Sequence, residues 1–240
     1  MAELIDEADV RSTDVLVIDD HRIFGDAMAI AVNTQPDLVC RGAAPSAEVG
    51  LQWCEDRCPD VVLLDVGLPG MGGIEAIGEL RQRCPDVRIV LITADTSGST
   101  LVAAVEAGAD GFLPKSHPFI EVLQAVRRVD QDVIAEPLSL RRAIEGVDAG
   151  STGPRDEAPD LTDREYEILL LLADGVPVKQ AAARLGMTVN TCRGHVASLL
   201  HKLDAHSQLA AVVVAARHGL LPNLRTAGQG ATTDEAPPPD

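Results

Sequence analysis

Four short apolar runs in the first half of the 240-residue chain are followed within two residues by side chains that can bind metal or phosphate. The runs and these residues are Val15–Ile18 with Asp19 and Asp20, Val61–Leu64 with Asp65, Ile89–Ile92 with Thr93, and Phe112–Leu113 with Lys115. In an open α/β sheet, ligands bind beyond the carboxyl ends of the strands. If the runs are parallel strands, three carboxylates, one hydroxyl and one ammonium therefore meet in one crevice.

Such a crevice has the parts needed for phosphoryl transfer. Three carboxylates repel one another and favour a divalent cation, and oxygen-only ligands suit Mg²⁺. In this arrangement Asp19 and Asp20 hold the metal, and Asp65 is a nucleophile that forms an aspartyl phosphate. Lys115 and the Thr93 hydroxyl each contact a phosphoryl oxygen. A single aspartate at a strand end is most often a solvated loop residue, but five matching positions favour a site.

The elements that must position these residues form a doubly wound α/β pattern over residues 10–129. The four runs and Leu38–Cys40 are short and apolar, and each is followed by a segment of helical length. This alternation predicts a five-stranded parallel sheet covered on both faces, a flavodoxin-like fold. Pro114 follows the fifth run, and since proline lacks a backbone donor, we expect that strand at the edge of the sheet.

Residues 161–222 carry helix signals only and predict a small all-α domain of four helices. The capping and terminating residues are Thr162 with Glu165, Gly175, Gly186, Thr188 and Ser207. Residues 130–160 are predicted to be a linker, possibly part helical, and residues 223–240 a disordered tail. Stretches rich in Gly, Pro and acidic residues support both predictions.

The net charge of −17 argues at first against a nucleic-acid partner, because phosphate binding needs clustered Lys and Arg. The charge is unevenly divided, however. Residues 1–159 hold 13 basic and 28 acidic residues, a net −15, whereas residues 160–225 hold 7 basic and 6 acidic residues, a net +1. DNA binding by the second domain is therefore allowed, with a low expected non-specific affinity.

Residues 189–203 predict a helix with one buried, apolar face. That face comprises Cys192, Val196, Leu199, Leu200 and Leu203. Asn190 and Arg193 lie on other faces among small neighbours, which lets a helix enter the major groove closely. A short helix over Lys179–Leu185 and a tight turn at Gly186 complete a helix-turn-helix pattern. The pattern alone favours a plain helical bundle over DNA binding.

The first domain resembles the receiver domains of response regulators over residues 13–129. The segments VLVIDDHRIF, VVLLDVGLPGMGGIEAI, VLITA and AGADGFLPKS match the landmarks of that family in order and spacing. The resemblance implies that Asp65 accepts a phosphoryl group from a cognate sensor histidine kinase. It also implies that Mg²⁺ is bound by Asp19, Asp20, Asp65 and the backbone carbonyl of Gly67.

The same resemblance assigns switching roles. Thr93 and Lys115 would couple phosphorylation to a change of shape, and Phe112 occupies the aromatic switch position of the family. Phenylalanine lacks the tyrosine hydroxyl, so Phe112 can turn inward at little polar cost. Gly67 and Asp95 stand at positions that affect the access of hydrolytic water. Since the family more commonly has a polar side chain at the Gly67 position, we expect Gly67 to change the lifetime of the phosphoryl group.

The second domain resembles a LuxR-type helix-turn-helix over residues 161–221. The resemblance rests on the segments LTDREYEILLLLADG, VKQAAARLGMTVNTCRGHVASLLHKL and HSQLAAVVVAARHGLL. A receiver followed by this domain is the arrangement of NarL/FixJ-class response regulators. By position, Arg193 contacts DNA from the recognition helix, Thr191 and Lys202 contact the DNA backbone, and Thr188 begins the helix.

Two departures from the LuxR-type pattern affect these expectations. Asp204 and Gln208 stand where the family commonly has Gly and Arg. Glu165 normally has a basic partner near position 208, so we expect that ion pair to be absent. Asp204 adds negative charge near DNA phosphate, which predicts a modest affinity or a dependence on dimerisation.

The last predicted helix, Ser207–His218, is apolar nearly all round, and a domain this small can hardly bury it. We expect Leu209, Val213 and Ala216 to pair with a second copy in a two-fold dimer that matches a pseudo-palindromic DNA site. The alternative is that this helix only packs on its own bundle.

Together these patterns predict a phosphorylation-dependent transcriptional regulator and not an enzyme. Phosphorylation of Asp65 would promote dimerisation and release Arg193 from masking by the acidic receiver. A haloacid-dehalogenase-type phosphatase also uses an aspartate nucleophile and Mg²⁺, but needs Asp-x-Asp after its first strand. Two further possibilities are a regulator that binds DNA without phosphorylation, its receiver serving as a dimerisation or ligand module, and a signalling adaptor that binds no DNA.

The sequence predicts a cytoplasmic protein without a membrane partner. No apolar stretch approaches the roughly 18 residues that a membrane span needs, and the acidic Met1–Asp9 lacks the features of a signal peptide. The five cysteines lack the spacing of a disulfide framework, so we expect free thiols in a reducing cytosol. Cys54 and Cys58 share a predicted helix face, and we expect buried thiols there, not zinc ligands.

Overall fold

The computed structural model describes residues 12–127, the backbone of residues 134–135, and residues 159–221. The predicted linker over 130–160 and the tail over 223–240 lie almost entirely outside the described residues, so the domain boundaries stay predictions. Within the described ranges, the chain forms a sheet flanked by helices and a group of four further helices. No helix in these ranges is long and apolar enough to cross a membrane.

One sheet of parallel strands has the order β2-β1-β3-β4-β5-β6. The strands are β1 (Thr13–Ile18), β2 (Leu38–Ala44), β3 (Val61–Leu64), β4 (Arg88–Thr93), β5 (Gly111–Pro114) and β6 (Ile134–Ala135). The direction of the strand order changes between β1 and β3, where such sheets bind ligands. The pairing of Ile18 with Leu64 therefore places Asp19 and Asp65 next to each other at this point.

The five predicted strands are all present, and β6 is an addition that the sequence did not indicate. Because β6 pairs with Gly111 and Phe112, the expectation that β5 is the edge strand is wrong for this half of β5. Within the described residues, Leu113 and Pro114 pair with β4 alone. Pro114 therefore lies in the part of β5 that does not pair with β6, where the missing backbone N–H of proline interrupts no hydrogen bonds to a second strand.

Five helices cover the sheet and build its two cores. They are α1 (Arg22–Asn33), α2 (Ala47–Asp56), α3 (Gly73–Arg83), α4 (Gly98–Ala107) and α5 (Phe119–Arg127). Helices α1 and α5 pack on the face that carries Val17 and Leu63, and α2, α3 and α4 pack on the face that carries Ile18 and Leu64. Both faces are apolar because alternate strand residues point to opposite cores.

The remaining four helices form the predicted all-α domain. They are α6 (Asp163–Ala173), α7 (Val178–Arg184), α8 (Val189–Lys202) and α9 (Gln208–Arg217). The capping box of Thr162 and Glu165 is present, and Thr188 and Ser207 cap α8 and α9 as predicted. The turn before α8 contains Gly186 at φ +65°, a conformation that glycine adopts without steric cost.

The α/β domain and the helical domain contact each other through α4 and α9. Arg217 of α9 pairs with Glu106 of α4, and the His206 Nε2 atom lies 3.4 Å from the carbonyl oxygen of Ala109. Apolar residues of both helices belong to one buried cluster. The helical domain alone therefore does not cover the last helix, because α4 of the α/β domain covers part of it.

The residues predicted to form the dimer surface are partly hidden by this arrangement. Leu209 and Val213 are buried within one chain, and Ala216 is half-buried. A second copy cannot reach Leu209 and Val213 until the packing around α9 changes. Their role in a dimer therefore stays a prediction.

The cysteines differ from the expectation of five free thiols. Cys58 and Cys84 form a disulfide with a Cα–Cα separation of 5.6 Å. Helix α2 ends before Cys58, which therefore does not share a helix face with Cys54. Cys40, Cys54 and Cys192 are free, and burial raises the pKa of each of these thiols.

Candidate functional site

A crevice at the carboxyl ends of β1, β3 and β5 brings Asp19, Asp65 and Lys115 together. Asp19 and Asp65 are only 3% and 4% exposed. The Lys115 Nζ atom lies 2.7 Å from Asp65 Oδ2 and 2.8 Å from Asp19 Oδ2. Burial works against the charged ammonium, but hydrogen bonds to the two carboxylates outweigh it and raise the pKa of Lys115. The ammonium stays charged and offsets part of the negative charge in the crevice.

Asp20 and His21 complete a group of side chains that fits a divalent cation. One ligand atom from each of Asp19, Asp20, His21 and Asp65 lies within 4.8 Å of the others. Asp20 Oδ1 is buried and accepts no hydrogen bond from the described part of the chain, although His21 Nδ1 is 2.8 Å away. A buried carboxylate oxygen without a donor is costly unless a cation or water satisfies it. The three carboxylates therefore fit Mg²⁺.

His21 is a residue of this group that sequence reasoning missed. Its backbone N–H donates to Asp19 Oδ1 at 2.8 Å, which helps to fix the Asp19 carboxylate. The signal that could have found it is its position directly after Asp19 and Asp20, where the chain leaves β1 at the ligand-binding edge.

The predicted switching residues lie on the neighbouring strands. Thr93 is buried at the end of β4, and its Oγ1 accepts a hydrogen bond from the Asp95 N–H at 3.0 Å. The Lys115 N–H donates to the Thr93 carbonyl oxygen at 2.8 Å, so the two residues are joined through their backbones. Phe112 is completely buried, and its switching role stays a prediction. The Thr100 hydroxyl of α4 donates to Asp95 and lowers the pKa of its carboxyl, so this loop is connected to α4.

Two glycines lie where the chain after β3 approaches Asp65. A Cβ atom at Gly73 would lie 2.0 Å from the Asp65 carbonyl oxygen, so α3 can begin this close to Asp65 only with glycine. A Cβ atom at Gly67 would lie 3.7 Å from Asp65 Oδ2, which is ordinary van der Waals contact. A side chain at position 67 would therefore border the acceptor oxygen. The predicted metal bond of the Gly67 carbonyl stays a prediction.

The exposed face of α8 carries most of the residues predicted to contact DNA. Asn190, Thr191 and Arg193 are exposed. Thr188 Oγ1 accepts a hydrogen bond from the Thr191 N–H at 3.1 Å and thereby caps the helix. The structure does not support the expected masking of Arg193, because the α/β domain contacts α9 and Arg193 has no ion pair among the described residues.

Lys202, which the sequence predicts to contact the DNA backbone, forms an ion pair within the helical domain, and its contact with DNA stays a prediction. Its Nζ atom lies 2.7 Å from Glu165 Oε2 and 2.9 Å from the carbonyl oxygen of Asp160, so the ammonium already has two acceptors within the domain. Glu165 thus has its basic partner at Lys202, whereas the ion pair near position 208 was expected to be absent and Gln208 carries no charge. Burial tends to raise the pKa of Glu165, but hydrogen bonds from Lys202, Ser198 and Thr162 lower it to about 2.

The Glu165 ion pair predicts a loss of stability in a Glu165→Gln variant. Because the folded pKa of about 2 lies below the ordinary value of 4.5, this carboxylate stabilises the fold above pH 4.5. That contribution is lost as the pH falls from 4.5 towards 2. We expect Glu165→Gln to lower the free energy of unfolding by about 1–3 kcal/mol at pH 7.

Urea unfolding followed by circular dichroism measures this change. Glu167→Gln is the matched control, because the side chain of Glu167 is 48% exposed and pairs with Arg164 at the surface; its effect should stay below about 0.5 kcal/mol. Equal losses in the two variants would contradict a special role of Glu165.

The chain matches known proteins over both domains. The model of the response regulator receiver domain matches residues 15–127, and that of the luxR family of bacterial regulatory proteins matches residues 159–215. The nitrate/nitrite response regulator protein NarL of Escherichia coli is 33% identical over 201 residues, 83% of this chain and 93% of NarL. The transcriptional regulatory protein LiaR of Bacillus subtilis is 31% identical over 214 residues, 86% and 98% of the two chains.

A solved structure supports the same assignment. The crystal structure of a two-component response regulator of the LuxR family from Aurantimonas sp. SI85-9A1 has a TM-score of 0.52 and 28% identity, and it covers 56% of this chain and 96% of its own. The present chain belongs to the two-component response regulators that join a receiver domain to a LuxR-type DNA-binding domain. Members of this family are DNA-binding transcriptional regulators and not enzymes.

Proposed function

We propose that this protein is a phosphorylation-dependent transcriptional regulator that accepts a phosphoryl group on Asp65 from a sensor histidine kinase. The observation that supports this most strongly is the Lys115 ammonium between the buried Asp65 and Asp19 carboxylates. A phosphoryl acceptor needs a fixed cation beside the nucleophile, because negative charge on the phosphoryl oxygens must be neutralised during transfer.

Each residue of the crevice has a distinct part in the transfer. One carboxylate oxygen of Asp65 attacks the phosphorus, the bond from phosphorus to the donor breaks, and a phosphoaspartate remains. When bound by Asp19, Asp20, Asp65 and the Gly67 carbonyl, Mg²⁺ supplies further charge neutralisation. Lys115 keeps its bond to Asp19 and exchanges Asp65 Oδ2 for a phosphoryl oxygen.

The loop between β4 and α4 carries the change to the second domain. The Thr93 hydroxyl accepts from the Asp95 N–H, and turning towards a phosphoryl oxygen breaks this bond. Asp95 is bonded to Thr100 of α4, so the change reaches α4. Helix α4 also carries Glu106, the partner of Arg217, so its displacement weakens the contact between the domains. The phosphoryl group interacts differently with two positions of this loop, and phosphorylation therefore shifts the equilibrium between them.

Release of α9 from α4 would free the DNA-binding domain. We propose that α9 then pairs with α9 of a second phosphorylated copy to form a two-fold dimer. The exposed face of α8 enters the major groove, with Thr188, Asn190, Thr191 and Arg193 as contacts. A DNA target also implies a cytoplasmic location for this chain.

Acetyl phosphate tests the proposed acceptor without knowledge of the kinase. With Mg²⁺ present, the intact mass of the chain should increase by one phosphoryl group, and the phosphorylated fraction should elute as a dimer from a sizing column. Chelation of Mg²⁺ by EDTA should prevent both changes. An unchanged mass with Mg²⁺ present would contradict the proposal.

Gly67→Asn should lengthen the lifetime of the phosphoryl group. The new side chain would border Asp65 Oδ2 and occupy space that hydrolytic water needs. We expect dephosphorylation about two- to tenfold slower, the effect of roughly 0.5–1.5 kcal/mol on the barrier. Gly78→Asn is the matched control, because a Cβ atom at Gly78 meets nothing within 4 Å. An unchanged decay rate in Gly67→Asn would refute the role of this position.

A further inference from the structure

The disulfide between Cys58 and Cys84 lies near the N-terminal ends of β3 and β4, at the opposite end of these strands from the Asp65 crevice. Cys58 precedes β3, and Cys84 is the C-terminal capping residue of α3. The two cysteines are 26 residues apart in sequence. The segment between them contains β3, the phosphoryl acceptor Asp65, the loop after it and α3, so the bond closes the part of the chain that carries the acceptor.

A short sequence repeat explains why these two cysteines meet. The segment Arg-Cys-Pro-Asp-Val occurs at residues 57–61 and again at residues 83–87. The first copy leads into β3 and the second into β4, and these parallel strands pair directly, with Val61 opposite Arg88. Equivalent positions before the two strands are therefore neighbours. The resulting Cα–Cα separation of 5.6 Å is one that a disulfide spans without backbone movement.

The two cysteines differ in their exposure. Cys58 is exposed, whereas Cys84 is 1% exposed. A cleft of about 330 Å³ opens onto the bond, lined by both cysteines and by Pro59, Pro85 and Asp86 among others. An incoming thiolate can therefore reach the Sγ atom of Cys58 but not that of Cys84.

We propose that Cys58 and Cys84 form a reversible thiol–disulfide redox site that is reduced by a protein dithiol of the thioredoxin class. This proposal rests on the proposed function in one respect, because a DNA-binding regulator works in a compartment where thiols are kept reduced. Disulfides found there are usually transient or redox-sensing. The three other cysteines do not take part, because they are free and two of them are buried.

The reduction follows ordinary thiol–disulfide exchange. A thiolate of the dithiol attacks Cys58 Sγ, the bond between the two protein sulfurs breaks, and Cys84 leaves as a thiolate that takes up a proton. The second thiolate of the dithiol then attacks the mixed disulfide and releases Cys58, which also takes up a proton. In total, two electrons and two protons pass to the cysteines, and the dithiol becomes a disulfide. A protein disulfide of suitable potential reverses the reaction.

The bond also restrains the receiver domain. Closing a chain segment reduces the freedom of the unfolded chain, so reduction lowers the stability of the domain. We expect the melting temperature of the receiver domain to fall on the order of 10 °C upon reduction. The redox state of the cell would thereby set how firmly the segment that carries Asp65 is held.

Counting thiols in the full-length chain tests the proposal. Alkylation in denaturant should modify three cysteines of the protein after incubation with oxidised protein disulfide isomerase, and all five after native incubation with reduced thioredoxin. In Cys58→Ser, all four remaining cysteines should react without reductant, and the melting temperature should equal that of the reduced wild type. This variant is preferred to Cys84→Ser because Cys58 is exposed. Cys40→Ser, which removes a free thiol, is the matched control and should keep the disulfide.

Each other outcome overturns the proposal. Five reactive thiols after this oxidation would show that no bond forms. A bond that resists thioredoxin under native conditions would be structural and not a redox site. A covalent dimer on a non-reducing gel would assign Cys58 to an intermolecular bond. None of these readouts involves phosphorylation or DNA, so failure here is distinguishable from failure of the proposed function.

Discussion

Replacing Asp65 with asparagine should abolish phosphorylation of the chain by acetyl phosphate and leave its fold intact. The amide has nearly the shape of the carboxylate, but it is not a nucleophile that can form an acyl phosphate. It also removes the negative oxygen that lies 2.7 Å from Lys115 Nζ. We therefore expect no mass increase in Asp65→Asn under conditions that phosphorylate the wild type.

The control for this experiment is Asp56→Asn, which changes an exposed carboxyl at the end of α2, away from the crevice. This variant should be phosphorylated as the wild type is. Circular dichroism of Asp65→Asn checks that the fold is retained. Phosphorylation of Asp65→Asn to the level of the wild type would show that another residue is the acceptor.

Replacing Arg193 with alanine should weaken DNA binding about 10- to 100-fold. Arg193 is an exposed cation on the outward face of α8, and a good arginine contact to a base is worth about 1–3 kcal/mol. The loss should be large here because the DNA-binding domain carries little positive charge to supply non-specific affinity. Fluorescence anisotropy measures this loss of affinity. The DNA duplex is one that the phosphorylated chain has enriched from a random-sequence pool.

Arg83→Ala is a suitable control for the loss of one positive charge. Arg83 lies on the receiver domain, where it pairs with Glu79 at the surface, and its removal should change DNA affinity less than about twofold. Selectivity adds a second test. If Arg193 reads a base, selectivity among duplexes should relax, whereas a phosphate contact would weaken all duplexes alike. Unchanged affinity in Arg193→Ala would exclude α8 as the recognition helix.

Local sequence signals were sufficient for the crevice and for most of the helix ends. Asp19 and Asp65 follow apolar runs directly, and the parallel pairing of those runs determines that the two carboxylates meet. The Thr162 and Thr188 caps depend on residues three positions apart and are equally local. The caps rely on near neighbours in the chain, and the crevice needs in addition only the parallel pairing of the strands, so both predictions agree with the structure.

The contacts that were missed join residues far apart in sequence. Lys202 reaches Glu165 across the helical domain. The long Lys202 side chain lets its ammonium take the place of the basic partner that Glu165 commonly has near position 208 in the family. The pairing of Cys58 with Cys84 depends on β3 and β4 being neighbours in the sheet. The repeated Arg-Cys-Pro-Asp-Val segment was visible, but its meaning requires the strand order.

The position of α9 could not be predicted for a related reason. Its apolar composition indicates that something covers it, but not whether the cover is its own domain, a second copy or the receiver domain. The ion pair of Arg217 with Glu106 joins two domains separated by a linker whose length leaves many arrangements open. Composition alone therefore predicted a dimer surface, which stays a prediction, and could not indicate the contact with α4 that the structure shows within one chain.

The most direct test of phosphorylation-dependent regulation is the DNA affinity of the full chain with and without beryllofluoride, a phosphoryl mimic, in the presence of Mg²⁺. We predict that beryllofluoride tightens binding by at least about tenfold, because it releases α9 from α4 and permits dimerisation. We also predict no effect in Asp65→Asn. Equal affinity of the wild type with and without beryllofluoride would contradict this mechanism and favour a regulator that binds DNA without phosphorylation.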